Sequence, residues 1–365
     1  MKLRCERDVL VEVLSTAGRA SVGRSGGLPV LSGVRLEASA AGLTATGTDL
    51  DLTISASAGV SVLEEGLVVA PGRLVTDIVR SLDPGAVTLE TDEEDLKIES
   101  GRSQFSVRTH PSGDFPRLPA PSGDSVTLST AGLADALRQV VRAASSEESR
   151  PILTGVLMTA EEGGLRLVST DSYRLAVRDL PGAGFLGAGE KVLVPSRALN
   201  ELGRILGNAG EVSVRLGQHD ATFGVGSVSV TTRLIEGEFP NYRQLIPSSY
   251  TNRLTVGREP MLEAVRRVKL LARDSVTPVR LALRPDGVEL AVVTPDLGRA
   301  SEDVDAKYEG AEMTVAFNPQ YLIDGLESVP GEEVVLSTLD ALKPATLRPT
   351  DGDDYLYLLM PVRVS

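Results

Sequence analysis

Apolar residues return every three to four positions in several stretches of this chain, and every second position in many more. Leu133, Leu137, Val140 and Ala144 fall on one side of a helix, as do Leu262, Val265, Val268 and Ala272; Leu10, Val13 and Ala17 follow the same spacing less regularly. Ser129 and Thr130 precede the 133–144 stripe and suit a cap, which predicts a helix running to about Ser146. Alternating stretches at 34–38, 165–169, 212–216, 221–225 and 279–283 read as strands. Ala41-Gly42, Gly163-Gly164 and Asp286-Gly287 mark turns between them.

These elements recur. A strand followed by proline and an amphipathic helix occurs at Val69-Ala-Pro71, Val194-Pro195 and Phe317-Asn-Pro319, with steps of 124 residues between the prolines. Proline suits the first position of the helix that follows. Gly42-Leu43 leading to Thr48-Asp49 is echoed by Gly164-Leu165 leading to Thr170-Asp171, and more weakly by Gly287-Val288 leading to Thr294-Pro-Asp296. Phe115-Pro116 recurs as Phe239-Pro240. Landmarks in one order at one period predict three copies of one α+β unit, each of two helices packed on antiparallel sheet. The expected limits are 1–121, 122–248 and 249–365, with links where Pro, Ser and Gly cluster.

A chain of 365 residues with 42% apolar content is long enough for three cores. No apolar run approaches the length that crosses a bilayer. The start, Met-Lys-Leu-Arg-Cys-Glu-Arg-Asp, lacks the apolar core of a secretory leader. The single cysteine, Cys5, reads as a small buried residue of the first strand, and a cytoplasmic setting is expected.

The net charge of −13 argues against a simple nucleic-acid binder, but its distribution does not. Helices bounded at 6–19, 71–82, 129–146, 195–208, 257–273 and 318–328 together carry +3, leaving −16 elsewhere. Arg138 and Arg142 share a face away from the apolar stripe, and Arg266, Lys269 and Arg273 form a second basic stripe. Arg80 and Arg204 add cations on two further helices. Such faces suit phosphates; for any single helix an ordinary solvated surface explains them equally well.

Catalytic signatures are missing. The two histidines, His110 and His219, lie in separate repeats, and no phosphate-binding loop or nucleophile elbow occurs. The echo of Thr170-Asp171 at Thr48-Asp49 makes it a repeated turn rather than a reactive pair. The expectation is a scaffold without cofactor or metal, against two competing readings: an enzyme with a hidden nucleotide or sugar site, and a surface adhesin.

The stretches Gly47-Thr-Asp-Leu, Ser100-Gly-Arg-Ser-Gln-Phe-Ser, Thr170-Asp-Ser-Tyr-Arg-Leu-Ala-Val, Phe239-Pro-Asn-Tyr-Arg-Gln-Leu-Ile-Pro and Tyr357-Leu-Leu-Met-Pro-Val-Arg-Val resemble the bacterial DNA polymerase III beta subunit, the sliding-clamp family, over the whole length. The ending is similar to actinobacterial members. The resemblance implies a non-enzymatic, cytoplasmic and nucleoid-associated processivity factor: a head-to-tail homodimer whose six domains ring duplex DNA without base readout. It implies DNA contacts from Arg24, Arg150 and Arg197 beside the helix cations. It also implies a pocket between the second and third repeats for peptides of the replicative polymerase alpha subunit, the clamp loader and other clamp-motif proteins. The matching positions are Leu153, Thr170, Ser172, Tyr173, Arg174, Leu175, Pro240, Gln244, Leu245, Pro344, Thr346, Leu358, Leu359, Met360, Pro361, Val362 and Arg363. Arg174 and Arg363 would hold polar groups of the peptide, and Met360 would adapt to varied ligands. A core strand remains the plain alternative for Leu358. Ser172-Tyr173 stands where the best-known enterobacterial members have Gly-His, and Gln244 where many have Arg. The dimer contact would set Phe105 and Val107 against Leu270 and Leu271, and Arg73 and Arg102 against Glu302 and Asp303. A second, specialised clamp conferring self-resistance to a clamp-targeting antibiotic stays open as an alternative role.

Overall fold

The structure is a computed structural model that describes residues 1–21, 28–92, 94–161, 163–187, 189–207, 209–272, 277–352 and 354–363. Among them are six α-helices, one in each expected window: α1 (Arg7–Gly18), α2 (Gly72–Ser81), α3 (Leu133–Val141), α4 (Ser196–Leu206), α5 (Arg258–Lys269) and α6 (Pro319–Ser328). The rest is largely antiparallel strand, giving three repeats of two helices on sheet.

The third window is corrected at both ends. Ser129 closes the strand Ser125–Ser129, and its hydroxyl accepts from the N–H of Ala131 at 3.2 Å instead of capping a helix. Gly132, at φ +76°, turns the chain into α3 through a left-handed conformation that glycine adopts without strain. Past Val141 the N–H groups of Ala143 and Ala144 reach back only three residues, so the helix tightens and stops. Ala143 therefore takes the buried place expected of Ala144, and Ala272 lies beyond the end of α5.

The equal proline steps also hide a shift. Pro71 and Pro195 end strands, opposite Gly33 and Gly155. Phe317 holds that strand position in the third repeat, opposite Val279. Pro319 instead opens α6, where the Asn318 side chain accepts from the N–H groups of Gln320 and Tyr321.

Strands cross the repeat limits, so compactness divides the chain differently from the repeats. One unit comprises Met1–Ala131 with Glu201–Leu234, the other Gly132–Asn200 with Ile235–Ser365. The first holds a five-stranded and an eight-stranded sheet. In the larger one the second repeat joins the first: Val228–Arg233 pairs with Leu52–Ala58, Val230 opposite Ile54. Leu10, Leu14 and Ala17 of α1 and Val75 and Val79 of α2 are buried against Leu36, Leu43, Leu89 and Ile98. Each such leucine removed from water stabilises by about 2 kcal/mol. Cys5 lies in this core, and burial, with Glu6, pushes its thiol up to about 11, which leaves it protonated and unreactive near neutrality.

The second unit is built on a twelve-stranded sheet in which Arg174–Pro181 pairs with Tyr355–Leu359, Ala176 opposite Tyr357. This is the same kind of seam, one repeat further on. α6 lies close over it: a Cβ on Gly325 would come within 2.7 Å of the Tyr357 ring. Among the described residues no helix is long and apolar enough to cross a membrane.

Candidate functional site

The seam of the second unit is entered by a tight turn. Thr170 Oγ1 donates to the carbonyl of Arg174 at 2.6 Å and accepts from Ser172 N at 3.1 Å. Asp171 Oδ1 accepts from the N–H groups of Tyr173 and Arg174 at 2.9 and 3.0 Å. These bonds hold Ser172 at φ +82°, unusual for a residue other than glycine. Tyr173, 57% exposed, stacks on Tyr321 of α6 with ring centroids 6.5 Å apart.

Register assigns the strand residues to two faces. Leu175 lies opposite Leu358, and Leu358 opposite Thr346, so these three share the outer face. Leu157, Val168, Val177 and Leu356 extend this buried apolar surface, and Ile152, Ile235, Phe239, Ile246 and Met360 pack half-exposed along its rim. Pro344, Pro361 and Val362 are half-buried; Pro240, Gln244, Leu245 and Arg363 are exposed. Leu153 is buried. The arrangement is an apolar groove with a polar margin. Thr346 Oγ1, fully buried, has no hydrogen-bond partner among the described residues. Further along the same face a cavity of about 370 Å³ is walled by Arg166, Asp179, Tyr242 and Leu356. There Asp179 grips Arg166 through two bonds of 2.6 and 2.9 Å.

Arg174 and Leu359 are opposite one another on the other face, towards α6. Arg174 donates to Asp171 at 2.9 Å and to Asp324, and stands 4.4 Å from the centre of the Tyr321 ring. Its side chain is 11% exposed. Burial disfavours its charge, but Tyr357, Asp324 and Asp171 outweigh that, so its pKa lies above the ordinary value. The guanidinium of Arg174, expected to await a peptide, is thus engaged within the chain, and Leu359 is core. Arg174 positions the turn and Tyr321.

Most of the cations expected to meet DNA are held by acids of the same chain. Arg80 lies 3.6 Å from Asp77, Arg138 3.2 Å from Asp135, Arg150 2.8 Å from Glu147 and Arg204 2.9 Å from Glu201. Arg266 contacts Glu263 at 2.6 Å and Glu327 at 2.7 Å. Arg142 also reaches Glu327, and Lys269 donates to Gln320. Burial alone would raise the Glu327 pKa; Arg142 and Arg266 reverse this and lower it. Arg197 is exposed on α4. Arg24 and Arg273 lie outside the described residues.

Among the strands that keep an open edge, two bear on the expected contact between chains. Ser103–Arg108 pairs only with Asp95–Ser100. The long strand Gly298–Glu309 pairs along its first part only with Gly287–Thr294. Phe105 is 38% exposed on the first edge, but Val107 is 6% exposed because its side chain belongs to the core of its own unit, which corrects its expected place in a contact between chains. Leu270 is 79% exposed and Leu271 half-buried at the end of α5. Arg73, Arg102 and Asp303 are exposed, whereas Glu302 accepts from Arg267 Nε at 2.9 Å.

Three sequence signatures match the chain in order: DNA polymerase III beta subunit N-terminal domain at 1–119, central domain at 127–241 and C-terminal domain at 243–363. The chain belongs to the DNA polymerase III beta subunit family. A beta sliding clamp of Streptomyces coelicolor is 35% identical over the full length of both chains. Among solved structures, a sliding clamp from Bartonella birtlesii bound to griselimycin is 32% identical with a TM-score of 0.91, and one from Bacillus subtilis 29% identical with 0.90, each covering both chains fully.

For a member of this family, sequence reading missed Tyr321, Asp324, Ile152 and Ile235 at the seam. Tyr321 and Asp324 sit inside the recurring strand–proline–helix landmark, where they read as helix residues. Only the register that brings α6 over Arg174 shows their role. Glu327 was visible as negative charge on α6, but not as the shared partner of two arginines.

Proposed function

We propose that this chain works as a DNA sliding clamp in which two copies, head to tail, close six domains into a ring around duplex DNA. The domains are 1–121, 122–248 and 249–365. The ring tethers the replicative polymerase alpha subunit, the clamp loader and other clamp-motif proteins through the apolar groove around Leu175, Leu358 and Met360. Helix arginines meet phosphates, which every sequence presents alike, so the duplex slides. The clamp operates in the cytoplasm, on the nucleoid.

One observation carries the ring. Each seam inside the chain joins the last strand of one repeat to the strand that follows the Gly-Leu landmark strand of the repeat before it. Two members of that series remain unused, Ser103–Arg108 in the first repeat and Gly298–Glu309 in the third, and both keep an open edge among the described residues. A second chain supplies the missing partner at each.

The test is retention on DNA. A topological link on a closed circle survives salt that removes ionic contacts. After loading, the protein is expected to stay on intact circles at high salt and to leave when the circle is cut. Loss from intact circles at high salt would disprove closure.

A further inference from the structure

Five of the arginines assigned to the duplex share a feature that duplex binding does not require. Asp77 precedes Arg80 by three residues, and the same spacing separates Asp135 from Arg138, Glu147 from Arg150, Glu201 from Arg204 and Glu263 from Arg266. All five ion pairs are formed. Their places repeat. On α2 and α4, the second helices of their repeats, both members recur 124 residues apart; on α3 and α5, the first helices, both recur 128 residues apart. Stabilisation of a helix does not account for the fifth pair, which lies in the loop after α3. On α6 the arginine's place is taken by Glu327, and Arg142 and Arg266 turn to it.

We propose that these acids are internal counter-ions, which occupy the duplex-facing arginines in place of phosphate and so set a weak, exchangeable grip. The proposal rests on the clamp reading and adds to it how the bore is tuned. A bare guanidinium would release condensed cations from DNA and bind tightly. A guanidinium already paired exchanges one anion for another. Both partners are solvent-exposed in four of the pairs, so the exchange is nearly balanced. Phosphates can then replace carboxylates one after another as the duplex moves, with no position held strongly.

The test combines Asp77→Asn, Asp135→Asn, Glu147→Gln and Glu263→Gln. Glu201 is left intact because it is buried and also holds Arg19 at 2.8 Å. Binding of a short fluorescent duplex is followed by anisotropy across a salt series. The slope of log K against log salt is expected to steepen by roughly 0.9 for each arginine released, less at Arg266, which Glu327 still holds at 2.7 Å, and the loaded ring to diffuse more slowly along DNA. A control carries Glu64→Gln, Glu65→Gln, Asp286→Asn and Glu312→Gln, the same change of charge outside the helices. A slope unchanged from the parent, or a control that steepens it equally, overturns the proposal while the clamp reading stands. Failure of the unsubstituted protein both to bind the duplex and to remain on closed circles removes the clamp reading and the counter-ions together.

Discussion

The two seams differ in what their outer faces carry. Each follows the same turn: Thr48 and Asp49 make the hydrogen bonds that Thr170 and Asp171 make, and Leu50, like Ser172, is held at φ +82°. At the first seam the outer face is a run of hydroxyl pairs. Thr44 meets Ser57, Thr46 meets Ser55, Thr48 meets Thr53 and Thr222 meets Thr231, all within 3.0 Å. By register the corresponding places at the second seam hold Arg166 with Asp179, Val168 with Val177, Thr170 with Leu175, and Leu358 in place of Thr231. Hydroxyls that satisfy one another need no cover. Apolar side chains in the same places leave a surface that gains from being covered. The segment carrying Phe239, Tyr242 and Ile246 covers part of it, and the remainder is the groove.

The inner faces differ too. Arg174 stands where the first seam has Leu52, a buried residue. Breaking this difference gives the largest expected effect. Arg174→Ala leaves Asp171 and Asp324 facing each other without their cation, and about 3 kcal/mol of stability should be lost. Chemical denaturation followed by near-ultraviolet signals measures it. A loss under 1 kcal/mol would show that the guanidinium does not hold the turn to α6. Groove binding should weaken as well, since Tyr321, on which Tyr173 stacks, loses the cation over its ring.

Met360 tests the groove without disturbing the inner face. Met360→Ala removes a rim side chain that packs on the apolar cluster, and a clamp-motif peptide is expected to bind about tenfold more weakly, near 1.4 kcal/mol. Titration calorimetry reads it. Sedimentation should show the assembly unchanged. Unaltered peptide affinity would separate the groove from peptide binding.

How much of this was legible depends on what each pattern encodes. The six helices were, because each buries a stripe at helical spacing. The shared turn was, because Thr-Asp recurs at one offset. Faces of strands were not: Arg174 and Leu359 were grouped with Leu175 and Leu358, although register sets them on opposite sides. Val107 shows the same limit, since an alternating apolar residue reads alike whether a chain's own core or another chain covers it. The acids three places before the arginines were in plain view, but summing charge over each helix cancelled the pairs that matter.

The smallest effect sharpens the likeness between the turns. Leu50 and Ser172 both occupy the left-handed region, where a Cβ is strained and glycine is not. Leu50→Gly and Ser172→Gly should each relieve that strain, partly offset by the greater freedom of glycine in the unfolded chain, for a net gain of about 0.5 kcal/mol. Neither side chain is buried, so little packing is lost in either case. Similar shifts in the two unfolding midpoints are expected. A gain at Leu50 with a loss at Ser172 would mean that the Ser172 hydroxyl, which accepts from Arg150 Nη1 at 3.2 Å, contributes more than the backbone it strains. The second turn would then be specialised by its side chains and also by its stability, and the two seams would differ already at the turn they share.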